Sequence, residues 1–239
     1  MERRRLRSLA LGLAALLAGG LAHAGAQQYE VLTASVRATL SAAVNDRTPV
    51  DFKDLDTRAW VRAMTRRVAG RFTDEEAARG FLMLVRYESM RAGLDPHLVL
   101  AVIDVESKFR KYAVSRAGAR GYMQVMPFWV KEIGQSGQNL FQERVNLRFG
   151  CTILRHYLDR ERGNLSNALG RYNGSLGQPD YPNRVFRALR ERWALDAVVP
   201  SASGPDPQLF AGRVVPVSAS SDFTVTRPGL SYTTLPEGS

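Results

Sequence analysis

The residue that stands out in this chain is Glu106. In the stretch opened by Asp95-Pro96, Val99, Val102, Ile103 and Glu106 follow the i, i+3, i+4, i+7 rule, so a carboxyl group shares one helical face with three aliphatic side chains. Beside low-dielectric packing the neutral form of a carboxyl is favoured and its pKa rises, which is the condition for a general acid near neutral pH. Helix geometry alone leaves a second reading open, in which Glu106 pairs with a cation such as Arg110 and is structural. Asp104 is the carboxyl nearest in sequence, but two residues along a helix turn it through about 200°, away from Glu106. Glu88, followed by Ser89 and seven residues after Phe81, is the rival; its structural reading is a helix-end carboxylate paired to Arg86 or Arg91.

The surroundings of Glu106 separate these readings. Glu106-Ser107 is followed by Gly121-Tyr122-Met123-Gln124 with Met126-Pro127, then by Tyr172-Asn173-Gly174, then by Tyr181. Four motifs in this order resemble the soluble lytic transglycosylase (SLT-domain) family, whose catalytic domain is similar to goose-type lysozyme, over roughly residues 78–193. The resemblance implies that Glu106 protonates the bridge oxygen between N-acetylmuramic acid and N-acetylglucosamine in peptidoglycan. Glu106 then takes the proton of the muramic C6 hydroxyl, which closes a 1,6-anhydro ring without consuming water. The resemblance further implies that Ser107 and Gln124 hold Glu106 or the substrate, that Tyr172, Asn173 and Tyr181 shape the sugar cleft, and that Met123 lines it beside the acid. The chain departs from the family at Tyr122, where Leu is frequent, and at Arg171, where Ala is. Neither is a proton-transfer group, so the expected effect is on cleft lining or packing.

Glycosidases ordinarily set two carboxylates about the scissile bond. With one well-supported acid and no evident nucleophile, the chain suits substrate-assisted ring closure. Two alternatives stay open: a lysozyme-type hydrolase on the same fold, with water as attacker, and a non-catalytic wall-binding or secretion scaffold. Other chemistries find little support. His97 and His156 lie in no metal-ligand spacing, and Ser175 lacks the first glycine of a nucleophile elbow, so neither a metal nor an organic cofactor is expected. His97 fits a first helical turn, His156 a solvated helix position and Ser175 a loop. Phe128 and Trp129 fit a core better than a sugar platform.

The elements that must hold these residues are helical. Helices are expected over residues 57–69, 74–91 with Asp74 as cap, 96 to about 109, 146–160, 165–171 with Asn164 as cap, and 182–194; residues 111–121 read as a loop. Between residues 27 and 51 a short helix at most is expected. No period-two alternation runs through this region, so the expected fold is an all-α, lysozyme-like helical domain with a substrate cleft.

Around that domain the composition changes. Arg3, Arg4, Arg5 and Arg7, an apolar run over 9–21 and Ala22-His23-Ala24 have the layout of a cleavable leader over residues 1–24, with Ala26 as the alternative cleavage point. No Cys stands near it, which argues against a lipid anchor. The expected organisation is a partly helical N-terminal extension at 25–76, the catalytic domain at 77–196 and a disordered Ser-, Gly-, Pro- and Thr-rich tail at 197–239. The leader implies a periplasmic protein with no membrane span after its removal. Lone Cys151 permits no intrachain disulfide and, spaced with Leu147, Leu154 and Leu158, fits the core. The formal charge is +10 and stays positive, at +7, without the first 24 residues. That charge favours an anionic partner, and export makes nucleic acid the least plausible. Peptidoglycan strands are the expected partner, and the tail is a candidate arm for a cell-envelope protein.

Overall fold

The computed structural model describes residues 27–48 and 55–194; the expected leader and tail lie outside the described residues. Among the described residues eight α-helices follow in chain order: α1 (Ala34–Asn45), α2 (Leu55–Arg67), α3 (Glu75–Arg91), α4 (Pro96–Glu106), α5 (Phe128–Ile133), α6 (Glu143–Arg160), α7 (Leu165–Asn173) and α8 (Asp180–Ala188). A single π-helical turn, Leu189–Trp193, continues α8. Among the described residues there is no strand, only antiparallel bridges joining Arg120 to Val114 and to Val125. The all-α expectation holds.

Local chemistry explains where these helices begin. The side chains of Asp74, Asp95 and Asn164 each accept a backbone N–H of the first turn, at Ala77, His97 and Asn167. Pro96 occupies the first turn of α4, where no N–H is needed. Gly174, at φ +75°, ends α7 in the left-handed conformation.

Helix α4 has no exposed residue, and Leu98 to Asp104 are all inside. It packs against α3, α8 and the π-turn, while α6 packs against α1, α3 and α7. Behind α4 an aromatic cluster of Phe72, Phe81, Phe109, Tyr122 and Trp193 meets at centroid distances of 4.4–6.4 Å.

Several boundaries differ from expectation. Helix α4 stops at Glu106 instead of near Phe109, because Lys108 and Phe109 take φ of 55° and 61° and swing the Phe109 ring into the aromatic cluster. Glu106 is therefore the last residue of its helix. Helix α6 begins at Glu143 rather than at residue 146, and the last expected helix begins at Asp180 and changes pitch at Leu189. Helix α1 is twelve residues long, and α5 was not expected at all. Both are short or weakly periodic segments whose helicity comes from packing on each other and, for α1, on α6.

His156 is half-buried rather than solvated, with its Nε2 enclosed and unpartnered, and burial lowers its pKa. Cys151 is buried against Met123 in the core. Trp129 is buried as well, and Phe128 packs edge-on against Tyr29.

Candidate active site

Glu106 ends α4 half-buried and points toward α7 and α8. The Tyr181 hydroxyl, from the first turn of α8, donates to its Oε1 at 2.6 Å. Burial pushes the Glu106 carboxyl up to about 7. The Tyr181 hydrogen bond, the Arg184 cation and the Asn173 amide pull the other way, in that order. Ser175 donates to Asn173 Oδ1 at 3.2 Å, which leaves the Asn173 amide nitrogen free to donate toward the carboxyl. The outcome is a group that exchanges its proton near neutrality, with donors in place to stabilise the carboxylate it becomes.

Around this centre lies a groove of about 520 Å³, walled by Asn173, Ser175, Gln178, Asp180, Tyr181, Asn183, Arg184 and Arg187. Tyr181 and Asn173 belong to both the groove and the Glu106 cluster, which joins the acid to the open volume.

A second cluster supports the first from behind. Gln124 takes a left-handed backbone conformation at φ +48°, uncommon for a residue with a side chain. Its amide donates to Gly121 O at 2.9 Å and to Ala113 O at 3.2 Å. Asn146, fully buried in α6, accepts from Met123 N at 2.8 Å and donates to Arg120 O and Leu140 O at 2.8 and 2.9 Å. Tyr172 donates to Met123 O at 2.7 Å, and its hydroxyl lies within the field of Glu106. Gly121 is required in this turn, because a Cβ there would come within 2.6 Å of Leu140 O at a φ of +74°.

Of the seven residues singled out from sequence, Tyr181 and Asn173 meet Glu106 directly, and Tyr172 stands behind them. Ser107 is buried and donates to Ile103 O at 3.2 Å within its own helix. Met123 is fully buried, packed on Gly150 and Cys151. Gln124 fastens its own loop. Asp104 faces away from Glu106, as helix geometry requires, and bonds to Arg192 at 2.6 Å and Trp193 at 3.2 Å. Glu88 is a buried ion-pair centre, but its main partner is Arg148 at 2.9 Å, with Arg91 at 3.8 Å a weaker one and Arg86 turned to Thr57. Tyr122 sits in the aromatic cluster, and Arg171 pairs with Glu161 and Glu30.

Three contributors escaped the reading of the sequence. Asn146 looked like a helix start. Asp180, an exposed carboxyl on the groove wall, lay in a turn with no periodic signal. Gln27 is buried and clips onto the site: its amide donates to Gln124 O at 3.2 Å and its Oε1 accepts from Met126 N at 2.9 Å. Nothing local in Gln27-Gln28 announces a contact about a hundred residues away in the chain. Among the described residues no three or more His, Cys, Asp or Glu are arranged to hold a metal ion, and no helix is long and apolar enough to cross a membrane.

Comparison with known proteins gives this geometry a context. Residues 83–188, from within α3 to the end of α8, match the Transglycosylase SLT domain. A transglycosylase of Enterobacteria phage PRD1 is 31% identical over 164 residues, covering 63% of this chain and 58% of the phage protein. The membrane-bound lytic murein transglycosylase C of Photorhabdus laumondii is 34% identical over 136 residues, covering 50% of this chain and 37% of that protein. The chain thus spans less than two thirds of the length of either relative. An inactive mutant of the lytic transglycosylase Slt from Pseudomonas aeruginosa is 26% identical and aligns at a TM-score of 0.36, over 57% of this chain and 23% of that one.

Proposed function

We propose that this chain, which carries the SLT domain and belongs to the SLT-domain lytic transglycosylase family, cleaves the glycan strands of peptidoglycan with Glu106 as its one acid and base. The observation that carries the reading is the Glu106 carboxyl, its pKa raised to about 7, bonded at 2.6 Å by Tyr181, which itself lines an open groove.

In the proposed reaction the protonated Glu106 gives its proton to the oxygen bridging N-acetylmuramic acid and N-acetylglucosamine. The muramic C1–O bond breaks and the N-acetylglucosamine side leaves with a free hydroxyl. Positive charge at C1 is shared with the muramic N-acetyl group. The muramic C6 hydroxyl then attacks C1 and returns its proton to the Glu106 carboxylate, which regenerates the acid. Atoms balance without water, and the products are a free end and a 1,6-anhydro end. Tyr181 and Asn173 stabilise the carboxylate between the two proton transfers. Tyr172, Met123 and Gln124 form the floor behind it, and Ser107 fixes the helix end from which Glu106 projects.

A second reading has one observation in its favour. Asp180 stands on the same groove wall, and a carboxylate there suits activation of a water, as in a hydrolase. Mass spectrometry of digested sacculi decides between them, since anhydro products are lighter than hydrolysed ones by one water. With Glu106→Gln as control, released anhydro fragments that vanish in the variant support the transglycosylase. Hydrolysed ends favour the Asp180 route, and undiminished cleavage by the folded variant removes Glu106 from the mechanism. The leader read at residues 1–24 sets this reaction in the periplasm, which fractionation of the expressed chain tests.

A further inference from the structure

Between Glu106 and Glu132 the chain carries no acidic residue but six cations, Lys108, Arg110, Lys111, Arg116, Arg120 and Lys131. Lys108 pairs with Asp104 at 3.6 Å and Lys111 with Glu143 at 3.3 Å, while Arg110, Arg116 and Arg120 are in no ion pair among the described residues. Part of this stretch is a small closed hairpin. Val114 and Arg120 face each other across an antiparallel bridge. The tip between them is held by Ser115 N donating to Ala119 O, Gly118 N to Ser115 O and Ala119 N to Ser115 Oγ, each at 3.0 Å. Arg116 is exposed on that tip. Beside it two apolar side chains stand in solvent, Tyr112 at 72% exposure and Val114 at 60%. The Tyr112 ring lies 5.8 Å from that of half-buried Phe141, and Lys111 and Arg120 set their charges over these two rings, both at 5.8 Å.

The patch is apolar and cationic at once, which limits what can cover it. A sugar stacks on an open ring face, whereas here each ring has a cation over one face and the other ring at its side. A soluble polyanion would use the guanidiniums and leave Tyr112 and Val114 in water. A second copy of the chain brings the same positive charge and is repelled. An anionic lipid surface meets both requirements. Headgroup phosphates take the guanidiniums, and Tyr112 and Val114 enter the boundary between headgroups and acyl chains.

We infer that the hairpin over residues 111–120, with Phe141, docks the protein on an anionic membrane surface without a spanning helix. The inference goes beyond the reaction assigned to Glu106 and does not depend on it. Ala113, between Tyr112 and Val114, accepts from Gly121 N at 2.9 Å and from the Gln124 amide at 3.2 Å. The docked hairpin is thus fastened to the turn behind the site, and docking sets where the site stands relative to the lipid.

The test is sedimentation of the exported and processed protein with vesicles of phosphatidylcholine and phosphatidylglycerol in equal parts, against vesicles of phosphatidylcholine alone. Binding to the anionic vesicles should be tighter by about thirtyfold at low salt, the scale of two arginines near a charged surface, and the preference should shrink as salt rises. R116Q/R120Q should remove most of that preference, and Y112S should weaken binding to the anionic vesicles at every salt concentration. R58Q/R62Q removes the same charge from exposed positions on α2 and should bind close to wild type. All five positions are exposed, so circular dichroism spectra should match wild type.

Equal binding to the two kinds of vesicle, or to neither, overturns the proposal, and in the second case leaves an acidic protein as the occupant. Equal weakening by R58Q/R62Q overturns it too, since the effect would then be one of net charge. Undiminished binding by Y112S, or full displacement of the protein from the vesicles by soluble glycerol phosphate, would make the hairpin a site for free anions and overturn the lipid reading.

Discussion

The Tyr181 hydroxyl, at the start of α8, meets Oε1 of Glu106, at the end of α4, at 2.6 Å. Two helix termini are thus joined at the carboxyl whose proton the proposed reaction moves, with the Tyr181 hydroxyl as donor. A phenol that donates to a carboxylate stabilises the charged form, so Tyr181 opposes the burial that raises Glu106. Tyr181→Phe removes the donor and keeps the ring. The Glu106 pKa should then rise above about 7, moving the alkaline limb of kcat/KM to higher pH, while kcat falls by about ten- to hundredfold because the carboxylate formed in the transition state loses a charged hydrogen bond. A pH–rate profile checks both. A slower enzyme with an unmoved limb would separate Tyr181 from the proton transfer.

Glu106 should also weaken the fold above neutrality. Its pKa is about 7 in the folded protein against 4.5 for the free side chain, so between those values the native state binds a proton that the unfolded state has released. Stability therefore falls as pH rises from about 4.5 through about 7, by on the order of 3 kcal/mol for the full shift. Glu106→Gln removes this dependence and the turnover together. Urea unfolding should find the variant more stable than wild type at pH 8 and close to it at pH 4.5. Equal stability at both would mean that the carboxyl is not held in its neutral form.

How far the site could be read in advance depended on the range of the signal. Glu106 was legible because a carboxyl on the Val99, Val102, Ile103 face breaks a local rule, and the caps Asp74, Asp95 and Asn164 stand where side-chain chemistry wants them. The motif order around Gln124 and Tyr172 marked residues that do converge on one region. The helix end at Glu106 was missed because it is set by Phe109 turning into a cluster built from four other segments. Periodicity sees one face of one helix. It does not see that Gln27 reaches Met126, or that Arg148 reaches back to Glu88. Helix α1 carries little amphipathic signal of its own and is helical because α5 and α6 cover Leu40 and Val44.

Glu88 provides a prediction of the opposite kind, for stability without catalysis. Its carboxylate is fully buried and receives two bonds from Arg148, at 2.9 and 3.1 Å, with Arg144 at 3.6 Å and Arg91 at 3.8 Å. Arg148 also donates to Asp46 O, tying α6 to the end of α1, and Arg91 bonds to Asp46 at 3.0 Å. Glu88→Ala leaves buried guanidinium without its counter-ion, a loss of about 3–5 kcal/mol. The thermal midpoint should drop by many degrees, while kcat measured well below it should stay within a few-fold of wild type. A fold of undiminished stability would show that the network adds nothing, and a lost kcat in folded protein would give Glu88 a part in the chemistry.

Gln27 allows the most local test. Its carboxamide spans an acceptor at Gln124 and a donor at Met126, two residues apart, and is itself buried. It therefore satisfies two backbone groups flanking Val125 in the loop that Gln124, in a left-handed conformation, already holds under strain. Gln27→Ala strands both groups, at about 1–3 kcal/mol each where water does not reach them. Its neighbour Gln28 is exposed, and its bond to Gly174 O is 3.4 Å long, so Gln28→Ala is the control and should cost within about 0.5 kcal/mol. Hydrogen exchange resolves the mechanism. The Met126 amide should lose protection in Gln27→Ala and keep it in Gln28→Ala. Because that loop backs the Tyr172–Met123 contact beside Glu106, kcat should decline in the first variant alone. If both variants exchange at Met126 as wild type does, the N-terminal segment is packing and not a brace for the site.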